Sequence, residues 1–175
     1  LRERDWRIVR INEVFLDGVV VPDDCVVGEI NGGWRLARTT LANERVAMGG
    51  TGLGKEMESL LSQVRSMDWE LTAEELASLG TQLADAHVGR VLDARAATRQ
   101  LAGLDPGALS SVRKLIGVRQ RQDTAELAMD LAGEAGWVEG PLTREFLNTR
   151  CLTIAGGTEQ ILLTVAAERL LGLPR

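Results

Sequence analysis

Hydrophobic and polar positions change their rhythm about thirty residues into the chain. Up to there, β-branched and apolar residues cluster in short runs. Ile8 to Asp17 is such a run and ends at Gly18, Val19-Val20-Val21 stops at Pro22, and Cys25-Val26-Val27 follows Asp23-Asp24. These runs predict two or three short strands, since proline cannot continue a ladder and β-branched side chains fit a pleated surface. So few strands are marginal alone, and their partners are expected in a part of the protein outside this chain.

From Gly32-Gly33-Trp34 onward the spacing is helical. One long helix is expected from about Trp34 to about Ser66, although glycines occupy positions 49, 50, 52 and 54 within it. Each costs roughly 1 kcal/mol in a helix interior, so they imply close packing or a bend. A second helix opens at the cap-like Thr72-Ala73-Glu74-Glu75 and runs to about Leu101. Gly103 to Gly107 reads as a turn, and a third helix covers about Ala108 to Ala132. After Gly133-Glu134-Ala135-Gly136 come a short helix around Leu142–Thr149 and a last one from about Thr158 to Leu171. The expected fold is mainly α, an up-down four-helix bundle preceded by a short β segment. The expected division is residues 1–30 as the tail of a β-domain and 31–175 as a helical bundle domain.

Composition narrows the function classes. The 175 residues are 45% apolar, enough for a packed core. Net charge is −5 with no basic stripe, which argues against nucleic acid as a partner. No apolar run reaches membrane-spanning length and no signal peptide is visible, so a cytoplasmic protein is expected. The chain starts at Leu1 without an initiator methionine, which suggests a piece of something longer. Cys25 and Cys151 are read as buried, reduced thiols, and the lone histidine, His87, as a packing residue rather than a metal ligand. The run Arg119-Gln120-Arg121-Gln122-Asp123 reads as a solvated helix face.

Two places could carry chemistry. Gly156-Gly157-Thr158 precedes the last helix, where glycines let backbone approach a ligand and free N–H groups favour a phosphate or a polarised carbonyl. An ordinary glycine turn with a threonine N-cap accounts for the same residues. The other place is Glu44, which shares a helix face with Ala37, Leu41 and Met48. A carboxylate among apolar neighbours is a better base near neutral pH. A glutamate bending toward solvent, or pairing with Arg38 or Arg45, fits the spacing equally. Gly50-x-Gly52-x-Gly54 lacks the preceding strand that a nucleotide loop needs.

Taken in order, these segments resemble one family. Asn12-Glu13-Val14-Phe15-Leu16-Asp17-Gly18 with Val19 to Pro22 is similar to the end of the β-domain of acyl-CoA dehydrogenases. Gly28 to Trp34, with Thr40-Leu41-Ala42-Asn43-Glu44-Arg45, resembles the start of their carboxy-terminal helical domain. Ser110-Ser111-Val112-Arg113-Lys114-Leu115 resembles the opening of its third helix. Ile154 to Ile161 and Ala167 to Arg175 resemble its closing signature. The resemblance covers nearly the whole chain.

The resemblance implies α,β-desaturation of an acyl-CoA thioester with FAD, a glutamate removing the α-proton while a hydride passes to flavin N5. Many members carry that glutamate directly before the Gly-Thr of the last helix, where this chain has Gly156. A smaller branch, of isovaleryl and long-chain type, carries it on the first helix of the domain in a Glu-Arg pair, as in Glu44-Arg45. The resemblance thus implies Glu44 as base, Arg45 at the substrate, and the Gly156 N–H donating to the thioester carbonyl. Thr158 and Gln160 match flavin-contacting positions, and Gly133 and Gly136 match a loop reaching the adenosine half of FAD from a neighbouring subunit. It also implies an electron-transfer flavoprotein as acceptor and a homodimer or homotetramer built through the helical domain. Ser66 to Leu71 departs from the Arg-x-x-Phe-Gly that holds the FAD pyrophosphate in many relatives, and Asp130 stands where relatives often have Gln. A non-catalytic subunit serving oligomerisation, or a flavin oxidase or monooxygenase, are the alternative readings. The 175-residue piece by itself is expected to be inactive and free of FAD.

Overall fold

The computed structural model describes residues 13–48, 52–67, 70–104 and 109–174. The chain divides into two units, one ending at Ala37 and the other beginning at Arg38.

In the first unit no strand forms among the described residues. Expected strand residues 8–12 lie outside them. The rest of the runs are extended or bent, with a single 3₁₀ turn at Asp23–Cys25 following Pro22. Val14, Phe15, Leu16, Val20 and Ile30 are exposed. The sequence carries strand chemistry, but a strand exists only where a neighbour supplies ladder hydrogen bonds, and none of the described residues does. Asn31 turns the backbone through a left-handed conformation, φ 64°, just ahead of the first helix.

Among the described residues six α-helices follow: α1 (Gly33–Met48), α2 (Lys55–Ser66), α3 (Ala73–Leu101), α4 (Leu109–Leu131), α5 (Pro141–Thr149) and α6 (Glu159–Leu170). The single helix expected over Trp34–Ser66 is therefore two. Its second half starts at a turn in which Gly52 and Gly54 adopt φ of 94° and 83°, values a right-handed helix cannot contain. The chain must turn there because α2 crosses α3 closely. A Cβ on Gly54 would lie 2.7 Å from the carbonyl oxygen of Ala86. The opening of α3 is as expected. Glu75 N donates to Thr72 Oγ1 at 3.2 Å, and the Glu75 carboxylate accepts from Thr72 N at 2.7 Å. This reciprocal cap satisfies two donors that helix geometry leaves free. The Thr72 backbone N–H, joined by its hydroxyl, holds the Glu75 carboxyl below the usual glutamate range.

The domain is organised around α4, which α2, α3, α5 and α6 all contact. A helix covered on several sides cannot keep a single apolar stripe. It buries Ser111, Lys114, Gly117, Val118, Thr124, Ala125, Leu127, Ala128 and Leu131 on more than one face. Small residues allow that close approach. Met57 and Leu60 of α2, Leu79 and Ala86 of α3, and Leu127, Ala128 and Leu131 of α4 make the main core, with Leu83 and Leu142 packed against it. Fully burying a side chain of leucine or methionine size contributes about 1.5–3 kcal/mol, so this cluster fixes α2 and α3 on α4.

Polar residues expected on a solvated face of α4 join helices instead. Gln120 donates to the Asp85 carbonyl and Gln122 to the Thr149 carbonyl, the latter at 2.9 Å. Arg121 meets Glu56 at 3.0 Å, and the Asp123 carbonyl accepts from Gln82 at 3.1 Å. Arg119 alone of the five is exposed. Both cysteines are exposed rather than buried, because Cys25 lies in the open first unit and Cys151 on a surface 3₁₀ turn. His87, on α3, is also exposed rather than packed. No helix among the described residues is long and apolar enough to cross a membrane.

Candidate functional site

The turn from Ala155 to Thr158 links a 3₁₀ segment, Arg150–Thr153, to α6. Its form follows from its glycines, since Gly156 and Gly157 take φ of 67° and 102°. Two successive left-handed residues would strain most side-chain-bearing amino acids. Thr158 then caps α6, its Oγ1 accepting from Ile161 N at 3.4 Å. Among the described residues, no protein group accepts from the N–H of Gly156, Gly157 or Thr158. Thr158 is half-buried and Gln160 exposed beside it.

Beneath the turn lies a residue to which the sequence alone assigns no role. Lys114 of α4 is 1% exposed. Its ammonium donates to the carbonyl of Ala155 and, at 2.7 Å, to that of Gly157. The available signal was positional: Lys114 shares a helix face with Ser111 and Val118, both buried, so a cation faced the core. Burying it is tolerable because the ammonium's protons find carbonyl oxygens. Next to Lys114, between α4, α6 and Leu152, is a cavity of about 30 Å³, space for roughly one or two waters. A larger groove of about 320 Å³ runs between α2, α4 and α5, floored by Leu60, Ala125 and Leu142.

The other candidates lie apart from this turn. Glu44 sits on α1 with its side chain exposed. Among the described residues nothing desolvates this carboxylate as the spacing led one to expect, and Leu41, on the same face, is itself 40% exposed. The side chain of Arg45 lies outside the described residues. Gly133 and Gly136 occupy a 3₁₀ turn directly after α4, and Asp130 is exposed just before it. Gly133 has φ 56° and open space where a Cβ would be, whereas a Cβ on Gly136 would collide with the Met129 carbonyl. Close packing on α4 thus leaves no room for a side chain at Gly136, whereas the space beside Gly133 is open. From Lys114 to Leu131 the helix rises about 26 Å, so the Gly133 turn and the Gly156 turn stand at opposite ends of α4. Among the described residues no three acidic, cysteine or histidine side chains gather as a metal site.

A helical domain centred on one buried helix carries, among the described residues, a glycine turn whose amides meet no protein acceptor. Comparison with known proteins assigns its lineage. Residues 31–171 match the family described as "Acyl-CoA dehydrogenase, C-terminal domain", and the chain belongs to that family. It is 61% identical to acyl-CoA dehydrogenase FadE34 of Mycobacterium tuberculosis over 94% of this chain and 23% of that protein. With acyl-CoA dehydrogenase IpdE1 of the same organism it shares 34% identity over 94% of this chain and 44% of the relative. The structure titled "Tcur3481-Tcur3483 steroid ACAD" superposes with a TM-score of 0.81 at 26% identity, over 92% of this chain and 45% of that one. The chain thus spans less than half the length of these relatives.

Proposed function

We propose that this chain is the carboxy-terminal part of an FAD-dependent acyl-CoA dehydrogenase, with Glu44 as the base that removes the α-proton. The family match over residues 31–171 carries the reaction class. For the base, the supporting observation is Gly156, which has no side chain where many relatives place their glutamate, and which takes a left-handed turn instead.

The chain's own residues divide the work as follows. Glu44 accepts the proton from the carbon next to the thioester carbonyl. The exposed position of Glu44 in this chain fits a surface that the rest of the protein and the acyl chain cover. The Gly156 N–H donates to the carbonyl oxygen as negative charge grows there, which needs backbone only. Thr158, whose hydroxyl keeps a proton to donate, and the exposed amide of Gln160 fit the polar edge of a flavin. Gly133, at the far end of α4, fits the adenosine half of an FAD held by a second subunit, in a homodimer or homotetramer. When bound, FAD supplies the acceptor for the hydride leaving the β-carbon, and an electron-transfer flavoprotein takes the electrons onward.

The substrate is a CoA thioester. Likeness to a steroid acyl-CoA dehydrogenase places a steroid side-chain thioester in the assay panel, beside straight-chain and branched acyl-CoAs. The test is Glu44→Gln in the protein at the length its gene encodes. Flavin reduction is expected to slow by roughly 100-fold or more, the usual worth of a positioned base. A rate within about threefold of the parent would remove Glu44 from this role.

A further inference from the structure

We propose that Lys114 is a positioning residue that aims the Gly156 and Thr158 amides at the reacting thioester. This rests on the functional reading above and adds a residue to it. The observation is the pair of bonds from one buried ammonium to the carbonyls of Ala155 and Gly157.

The consequence follows from peptide geometry. The described chain contains no cis peptide bond, so in each planar unit the C=O and the following N–H point in opposite directions. Holding the Ala155 oxygen on Lys114 directs the Gly156 N–H away from α4. Holding the Gly157 oxygen directs the Thr158 N–H the same way. Two carbonyl dipoles converging on one point repel each other unless a cation lies between them, so the ammonium is what makes this double arrangement favourable. It also polarises both peptide units, which strengthens their N–H groups as donors on the far side. Two successive left-handed glycines give the turn little stiffness of its own. The direction of its donors is therefore set from beneath by Lys114, without contact between Lys114 and substrate.

The test uses the intact flavin-loaded protein with Lys114→Met, which keeps the chain length and removes the donors, and Lys114→Gln, which keeps a donor but not the charge. Crystal structures are the first readout. In Lys114→Met, the Ala155–Gly156 or the Gly157–Thr158 peptide plane is expected to turn over, carrying its N–H toward α4. Both planes unchanged would overturn the proposal whatever the activity. Flavin reduction by acyl-CoA is the second. Its rate is expected to fall roughly 100-fold in Lys114→Met and roughly tenfold in Lys114→Gln, with acyl-CoA affinity within about threefold of the parent. A rate within about threefold for Lys114→Met, or a loss confined to affinity, would overturn it. If Lys114→Met does not fold, Lys114→Gln carries both readouts, and there a turned plane and a slower rate support the proposal while an unchanged turn or rate contradicts it. Should the parent protein reduce no flavin at all, the functional reading fails, and the crystallographic readout still decides whether Lys114 orients the turn.

Discussion

Asp93 of α3 and Arg113 of α4 form a nearly buried ion pair in which one carboxylate oxygen, Oδ1, accepts from Nη2 at 2.5 Å and from Nε at 2.9 Å. The other oxygen accepts the backbone N–H groups of Gly52 and Leu53, at 2.8 and 2.7 Å. One side chain thus ties the turn ahead of α2 to both α3 and α4. Asp93→Ala leaves Arg113 without this partner and two amides without an acceptor. Breaking one partner of such a pair costs about 3 kcal/mol, and chemical denaturation of the intact protein is expected to show a loss of that order.

Close packing at the same turn makes Gly54 equally specific. Gly54→Ala would bring a Cβ to 2.7 Å from the Ala86 carbonyl oxygen and would have to hold φ at 83°. A backbone atom cannot step aside as a side-chain tip can. Overpacking of this kind costs about 1–3 kcal/mol, and a lowered thermal midpoint with retained helical circular dichroism is the expected outcome. Gly103→Ala serves as control for the backbone strain alone, since its φ is also left-handed, 69°, but its Cβ would meet nothing within 4 Å.

Both of these residues show what the sequence made legible. Glycines at 52 and 54 announced a bend or a close contact, and the structure has both. Where the helix would break was not readable, because the break depends on α3 lying across it. Caps at Thr72 and Thr158 were readable because they are local. The extent of α4 was readable too, but the face carrying Gln120 to Asp123 was not. The side chains of Gln120, Arg121 and Gln122 are polar in composition and interhelical in use, a distinction made only by what packs against them. Glu44 is proposed from spacing and resemblance, and Lys114 only from the structure. A lysine on a buried stripe has no meaning until the carbonyls of Ala155 and Gly157, some forty residues later, arrive above it.

The pH dependence of stability should carry a mark of Asp123. Burial between helices pushes its carboxyl above the usual aspartate range, and Asp85 and Glu126 add to this while Arg119 and Arg150 oppose it. A raised folded-state pKa means the native protein holds more protons than the unfolded chain, so this residue's contribution falls as pH rises from the usual aspartate range through its raised value. Asp123→Asn is therefore expected to raise the thermal midpoint slightly at pH 7. The gain should fade as pH drops into the aspartate range, and a gain that grew on acidification would contradict this account.

The central claim is that the domain around Gly156 belongs to an enzyme that desaturates an acyl-CoA with the help of FAD. Anaerobic titration of the full-length protein with the panel of straight-chain, branched and steroid side-chain acyl-CoAs tests it most directly. The account predicts tightly bound flavin whose visible absorption is lost on adding at least one of these thioesters, with the matching enoyl-CoA formed in equal amount. Protein that binds no FAD, or bound flavin that every acyl-CoA leaves oxidised, would contradict it.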